Sequence, residues 1–104
     1  MGFKIYNKLV RDKIPEIIEA DNRKCDIKIL SDEEFLNAID TKLDEEVAEY
    51  HKDQNIEELA DILEVVYAAA IARGYSIEQL EEVRQKKADD RGVFSKRIFL
   101  NSVT

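Results

Sequence analysis

The sequence predicts an all-α protein: a central antiparallel helical hairpin forming a four-helix bundle on dimerisation, with short peripheral extended or β segments. Three observations predict it. Apolar residues recur at helical period from Phe35 to Tyr50 and again through ILEVVYAAAIA. Polar boxes that start helices stand at Ser31–Glu34, Asn55–Glu58 and Ser76–Gln79. Gly74 and Gly92 sit where two of those helices must stop.

Taken in chain order, FKIYN alternates apolar and polar and suits a short extended piece. Pro15 fits the first turn of a helix whose apolar side is Ile14, Ile17 and Ile18, and DNRK ends it. CDIKIL alternates again, with Ile27 and Ile29 on one side, as a short strand does. Ser31 caps a long helix with Phe35, Leu36, Ile39, Leu43, Val47 and Tyr50 on one stripe, ending near Lys52. The polar stretch HKDQN is short enough to make the next helix an antiparallel neighbour. That helix starts at Asn55 and stops near Arg73; another runs from Ser76 to near Arg91, and VFSKRIFL is β-prone.

With 104 residues the chain is one domain, residues 1–104, with 44% hydrophobic residues arguing against disorder. A net charge of -7 speaks against a broad grip on duplex nucleic acid. No apolar run reaches membrane-spanning length and MGFKIYNK holds no signal-peptide core, so the expected location is the cytoplasm, with no membrane partner. The single cysteine, Cys25, rules out an internal disulfide and reads as a small apolar residue.

The acids carry the chemistry. Glu46 and Glu49 share one helix face, as do Glu58 and Asp61, each pair three residues apart. Folding the chain between residues 53 and 54 sets Glu49 level with Glu58 and Glu46 level with Asp61. Any one such pair is ordinarily a solvated helix face. Glu46, however, lies about 20° from both Phe35 and Ile39 on the helical wheel, inside the apolar stripe, while Asp44 points away. Four carboxylates on one spot repel unless a hard cation lies between them. An all-oxygen donor set favours Mg²⁺, with Mn²⁺ as substitute. His51, near the turn, reads as a loop residue rather than a ligand. Glu45 is either a base toward water or a surface acid.

Lys8, Arg11 and Lys13 form one basic cluster; Lys86, Lys87 and Arg91, followed by Lys96 and Arg97, form another. Flanking an acid site, the two would clamp phosphates. Tyr6, Tyr50 and Phe94 suit core packing better than base stacking. The helix after Asn55 is apolar nearly all round, so a chain this small needs a partner copy to cover it.

Glu45-Glu46-x-x-Glu49 followed by Glu58-x-x-Asp61 resembles the EExxE…ExxD signature of the MazG-like all-α nucleoside triphosphate pyrophosphohydrolases. YNKLVRDKIPEII and RGVFSKRIFL resemble the small stand-alone, house-cleaning or phosphoribosyl-ATP-pyrophosphohydrolase-like branch, so the likeness spans nearly the whole chain. The resemblance implies cleavage of a nucleotide between its α- and β-phosphates, with Mg²⁺ held by Glu46, Glu49, Glu58 and Asp61 and Glu45 near the water. It also implies a homodimer or dimer of dimers. The stretch KKADDRGVF departs from the family's Lys…Asn…Arg pattern, having no asparagine. The expected function is nucleotide-pool sanitation. Phosphoribosyl-ATP hydrolysis in histidine biosynthesis is an alternative within the enzyme class, and a non-catalytic helical interaction module is one outside it.

Overall fold

The structure, a computed structural model, describes residues 4–104. It holds four helices, α1 (Ile14–Ala20), α2 (Asp32–Asp53), α3 (Ile56–Ala72) and α4 (Ile77–Arg91), and among the described residues no strand. The protein is all-α. The start signals act as their chemistry requires. Ser31 accepts from the Glu34 amide while the Glu34 side chain accepts from the Ser31 amide, and Ser76 and Gln79 repeat the reciprocal box. Asn55 makes the first half, accepting from the Glu58 amide at 3.0 Å. The Glu58 side chain does not return the bond; its carboxylate is turned toward other acids.

α2 runs through His51 to Asp53, so His51 belongs to the last helical turn and not to a loop. Only Gln54 and Asn55 connect the two long helices. Gln54 turns the chain in the left-handed region (φ 51°) and its amide donates to the Tyr50 carbonyl. Gly74, at φ +91°, closes α3 in the conformation glycine tolerates best.

α2 packs along α3, and Ile39 and Val65 are the buried apolar residues of this contact. Arg73 reaches Asp40 at 3.4 Å across the end of the hairpin away from the turn. α4 touches α3 alone among the helices, and α1 packs on none of them. The reason lies in composition: α4 (IEQLEEVRQKKADDR) is polar nearly all round and gives the hairpin little to hold.

Two expectations are corrected. CDIKIL and VFSKRIFL are extended or turned but form no ladder, because each lies alone, with Ile29 86% and Phe94 97% exposed. The same holds for residues 4–7 of FKIYN; Phe3 lies outside the described residues.

The chain is open. Its radius of gyration is 18.2 Å, where about 13 Å is usual for a compact chain of this length. Its accessible surface is 9717 Å², where about 6,000 Å² is usual for a compact monomer of this mass. Leu59, Leu63 and Ile71 of α3 remain at least 48% exposed. No helix among the described residues is long and apolar enough to cross a membrane.

Candidate metal centre

α2 and α3 bring carboxylates together at the turn end of the hairpin. Oxygens of Glu46, Glu58 and Asp61 lie within 4.8 Å of one another, and so do oxygens of Glu49, Asp53 and Glu58. Glu58 belongs to both groups. The register about the turn is therefore the one the spacing requires, with Glu46 beside Asp61 and Glu49 beside Glu58. Asp53, which lies outside the acid signature, belongs to the second of these groups. It stands four residues after Glu49 on the same face, and it joins the group because α2 continues one residue past Lys52.

Burial is graded along this row. Glu46 is 9% exposed, Glu58 and Asp61 are half-buried, and Glu49 and Asp53 face solvent. Lys42 Nζ lies 3.3 Å from Glu46 Oε1 and 3.2 Å from Glu45 Oε1. Lys42 escaped sequence reasoning, although it precedes Glu46 by one helical turn.

The segment before α1 supplies the other cations. Arg11 donates to Asp61 Oδ1 at 2.7 Å and Lys8 lies 3.3 Å from Glu45 Oε1. Lys13 sits at the N-terminal boundary of α1, exposed and with no ion pair among the described residues. The second basic cluster does not flank the acids. Lys86 pairs with Asp90 on its own helix at 2.9 Å, and nothing joins Lys87 or Arg91 to the carboxylates, because α4 does not meet α2. Tyr6 and Phe94 are also outside any core, at 52% and 97% exposed, while Tyr50 is half-buried against His51. Lys4 and Lys8 stand 5.0 and 5.9 Å from the Tyr6 ring centroid.

Two carboxyl groups are shifted by their surroundings. Partial desolvation, then repulsion from Asp61, Asp53, Glu49 and Glu46, pushes the Glu58 carboxyl above the usual range. Glu45 goes the other way. Partial desolvation raises it, but hydrogen bonds from Lys42 and Lys8 together with their charges outweigh that and hold it low.

The donor set suits a hard divalent cation. It is all oxygen, with no sulfur or imidazole in either group. Around one octahedral magnesium trans oxygens stand about 4.2 Å apart and cis oxygens about 3.0 Å, so either group has to close in to share one ion. With Arg11 and Lys42 counted against the five carboxylates, three negative charges remain for a cation to neutralise.

No family model and no solved structure matches the chain. A protein of Mycolicibacterium smegmatis, described only as uncharacterized, is 60% identical over 42 residues, covering 40% of this chain and 43% of that protein. The chain thus matches about two fifths of that relative's length, and the likeness carries no activity with it.

Proposed function

We propose that this protein is a metal-dependent nucleotide pyrophosphohydrolase of the MazG-like kind, working as a homodimer. The observation that carries the reading is the convergence of Glu46, Glu58 and Asp61, with Glu46 almost buried and Glu58 shared with Glu49 and Asp53. Acids that served only solubility would face water, as Asp44 does. The dimer is supported by about 3,700 Å² of surface beyond that of a compact monomer, an excess on the scale of obligate interfaces.

In this reading Glu46, Glu58 and Asp61 hold one Mg²⁺ and Glu49, Asp53 and Glu58 hold a second position. When bound, the cation supplies Lewis-acid stabilisation of charge at the phosphates and a more acidic water. The chain's own groups do the rest. Water oxygen bonds to the α-phosphorus and gives up its proton to solvent, the bond from that phosphorus to the α–β bridging oxygen breaks, and pyrophosphate leaves with that oxygen and its electron pair. Glu45 is ionised at neutral pH and, with its carboxyl held low, is a weak base. It therefore orients the water by accepting a hydrogen bond rather than driving the proton transfer. Arg11, now paired with Asp61, would turn its planar donors to a phosphate if a cation replaced it there, with Lys8 and Lys13 beside it. Nucleotide-pool sanitation is the role we favour, with phosphoribosyl-ATP as the alternative substrate.

The deciding experiment measures pyrophosphate release from common, deoxy and damaged nucleoside triphosphates and from phosphoribosyl-ATP, with and without Mg²⁺ or Mn²⁺. Magnesium-dependent release that disappears in Glu49→Gln supports the assignment. A folded protein that turns over none of them overturns it and leaves the non-catalytic interaction module.

A further inference from the structure

The segment ahead of α1 is tied to the hairpin by charge. Among the described residues, the hydrogen bonds from residues 4–24 to α2 and α3 are Lys8 Nζ to Glu45 Oε1 at 3.3 Å and Arg11 to Asp61 Oδ1 at 2.7 Å. Backbone bonds do not join that stretch to the hairpin, and α1 packs on neither helix. Apolar contact is thin: Leu9 is half-buried, but Ile5, Tyr6 and Val10 are exposed. Residues 4–13 thus lie against the hairpin as a strap with two cationic fastenings.

Both fastenings are weak, and one of them competes with an ion. Arg11 and Asp61 are largely open to solvent, as is Lys8, and exposed pairs of this kind hold little free energy. Glu45 divides itself between Lys8 and Lys42. Asp61 is also one of the three carboxylates gathered with Glu46 and Glu58. A dication among those three attracts Asp61 with twice the charge of Arg11 and repels the guanidinium beside it. The entering ion therefore acts on the fastening itself and needs no change elsewhere in the fold.

The freed groups suit a polyphosphate. Across residues 4–13, Lys4, Lys8, Arg11 and Lys13 stand against a single acid, Asp12. Once Asp61 is taken, Arg11 has its planar donors open, and a phosphate bound to the ion lies where Asp61 held it.

We propose that residues 4–13 are a cation-gated strap: fastened on the carboxylates in the metal-free chain, opened by a divalent cation, and closed again on the phosphates of a nucleotide. This rests on the metal-centre reading given above and adds an order to it. The cation binds first, because without it Lys8 and Arg11 are already engaged and a nucleotide finds neither free.

The test is limited trypsin digestion of the full-length chain, read by mass spectrometry. Trypsin cuts the strap after Lys8 and Lys13, and cuts after Lys96 and Arg97 in the exposed tail serve as the internal reference. Calorimetric titration sets the magnesium concentration. Saturating magnesium should speed strap cleavage about 5-fold relative to the tail, the loss of one exposed pair at the upper end of its usual worth. Adding a non-hydrolysable α,β-methylene nucleoside triphosphate should return it to the metal-free rate. Arg11→Met, with unchanged helicity by circular dichroism, should be cut at the faster rate without metal and respond no further to magnesium. Magnesium that binds without speeding strap cleavage overturns the strap and leaves the metal centre standing. So does equal release by potassium chloride at matched ionic strength, since screening alone then opens it. An opened strap that the nucleotide analogue does not protect overturns the closing step. A chain that binds no magnesium in the calorimeter removes the metal reading itself, and the gating with it.

Discussion

Glu46→Gln separates a metal ligand from a buried structural acid. Glu46 is 9% exposed, with Lys42 at 3.3 Å and oxygens of both Glu58 and Asp61 within 4.8 Å. At an effective dielectric constant of about 20, the attraction at 3.3 Å is about 5 kcal/mol and each repulsion at 4.8 Å about 3.5 kcal/mol; in water they fall to about 1.3 and 0.9 kcal/mol. The amide loses all three, and it no longer has to bury a charge. Lys42 keeps Glu45 at 3.2 Å. The metal-free variant should therefore be as stable as wild type or up to about 2 kcal/mol more stable. Magnesium then divides them. At a free concentration one hundred times its dissociation constant, a bound ion stabilises wild type by about 2.7 kcal/mol, a rise of about 11–22 °C in Tm for a chain of this size. If loss of the ligand weakens binding about 100-fold, the same magnesium stabilises the variant by about 0.4 kcal/mol, or about 2–3 °C. Thermal melting at fixed protein concentration, paired with calorimetric titration, reads both numbers. A variant that keeps the full magnesium response removes Glu46 from the metal site, and a wild type with no response removes the site.

Other consequences follow from the same geometry. Because Glu58 is raised, the folded chain takes up that proton more readily than the unfolded one, so acidifying metal-free protein through the interval just above pH 4.5 should stabilise it through this group; Glu58→Gln should abolish that gain in a Tm–pH series, and magnesium should mask it. Glu34 has the opposite sign: its hydrogen bond from Lys28, then those within the Ser31 cap, lower it to about 2, so its contribution is full above about pH 4.5 and lost as pH falls toward 2, and Glu34→Gln should flatten that acid limb with or without metal. Arg11→Met should bind magnesium alone several-fold more tightly by calorimetry while raising KM for the nucleotide; a fall in metal affinity would show that Arg11 does not stand in the cation's place.

What the sequence made legible was whatever depends on neighbours along the chain. Three helix starts, the stop at Gly74, the two-helix hairpin and the pairing of Glu46 with Asp61 all rest on local spacing, and each appears in the structure. Asp53 lies outside the acid signature, and a left-handed Gln54 is not a stop signal that composition announces. Arg11 on Asp61 joins residues 50 positions apart, a distance over which no periodicity speaks. The Lys86, Lys87 and Arg91 cluster was set beside the acids on charge alone. Its distance from them follows from the polarity of α4, which a tally of cations cannot register.

The distribution of burial argues for a bound cation more strongly than the acid signature does. Among the described residues this chain buries Ile39 and Val65 as its apolar core, and the one charged residue buried with them is Glu46. Those three surround one place: Ile39 lies two helical turns before Glu46, and Val65 one turn after Asp61. The Glu46 carboxylate is the least exposed charged group among the described residues, and a leucine in its position would enlarge a core that is plainly too small. Lys42, the cation beside it, is shared with Glu45. An interaction module gains nothing from an acid so placed. A site that must fix one oxygen ligand rigidly, at the level of Asp61 and within reach of Glu58, does.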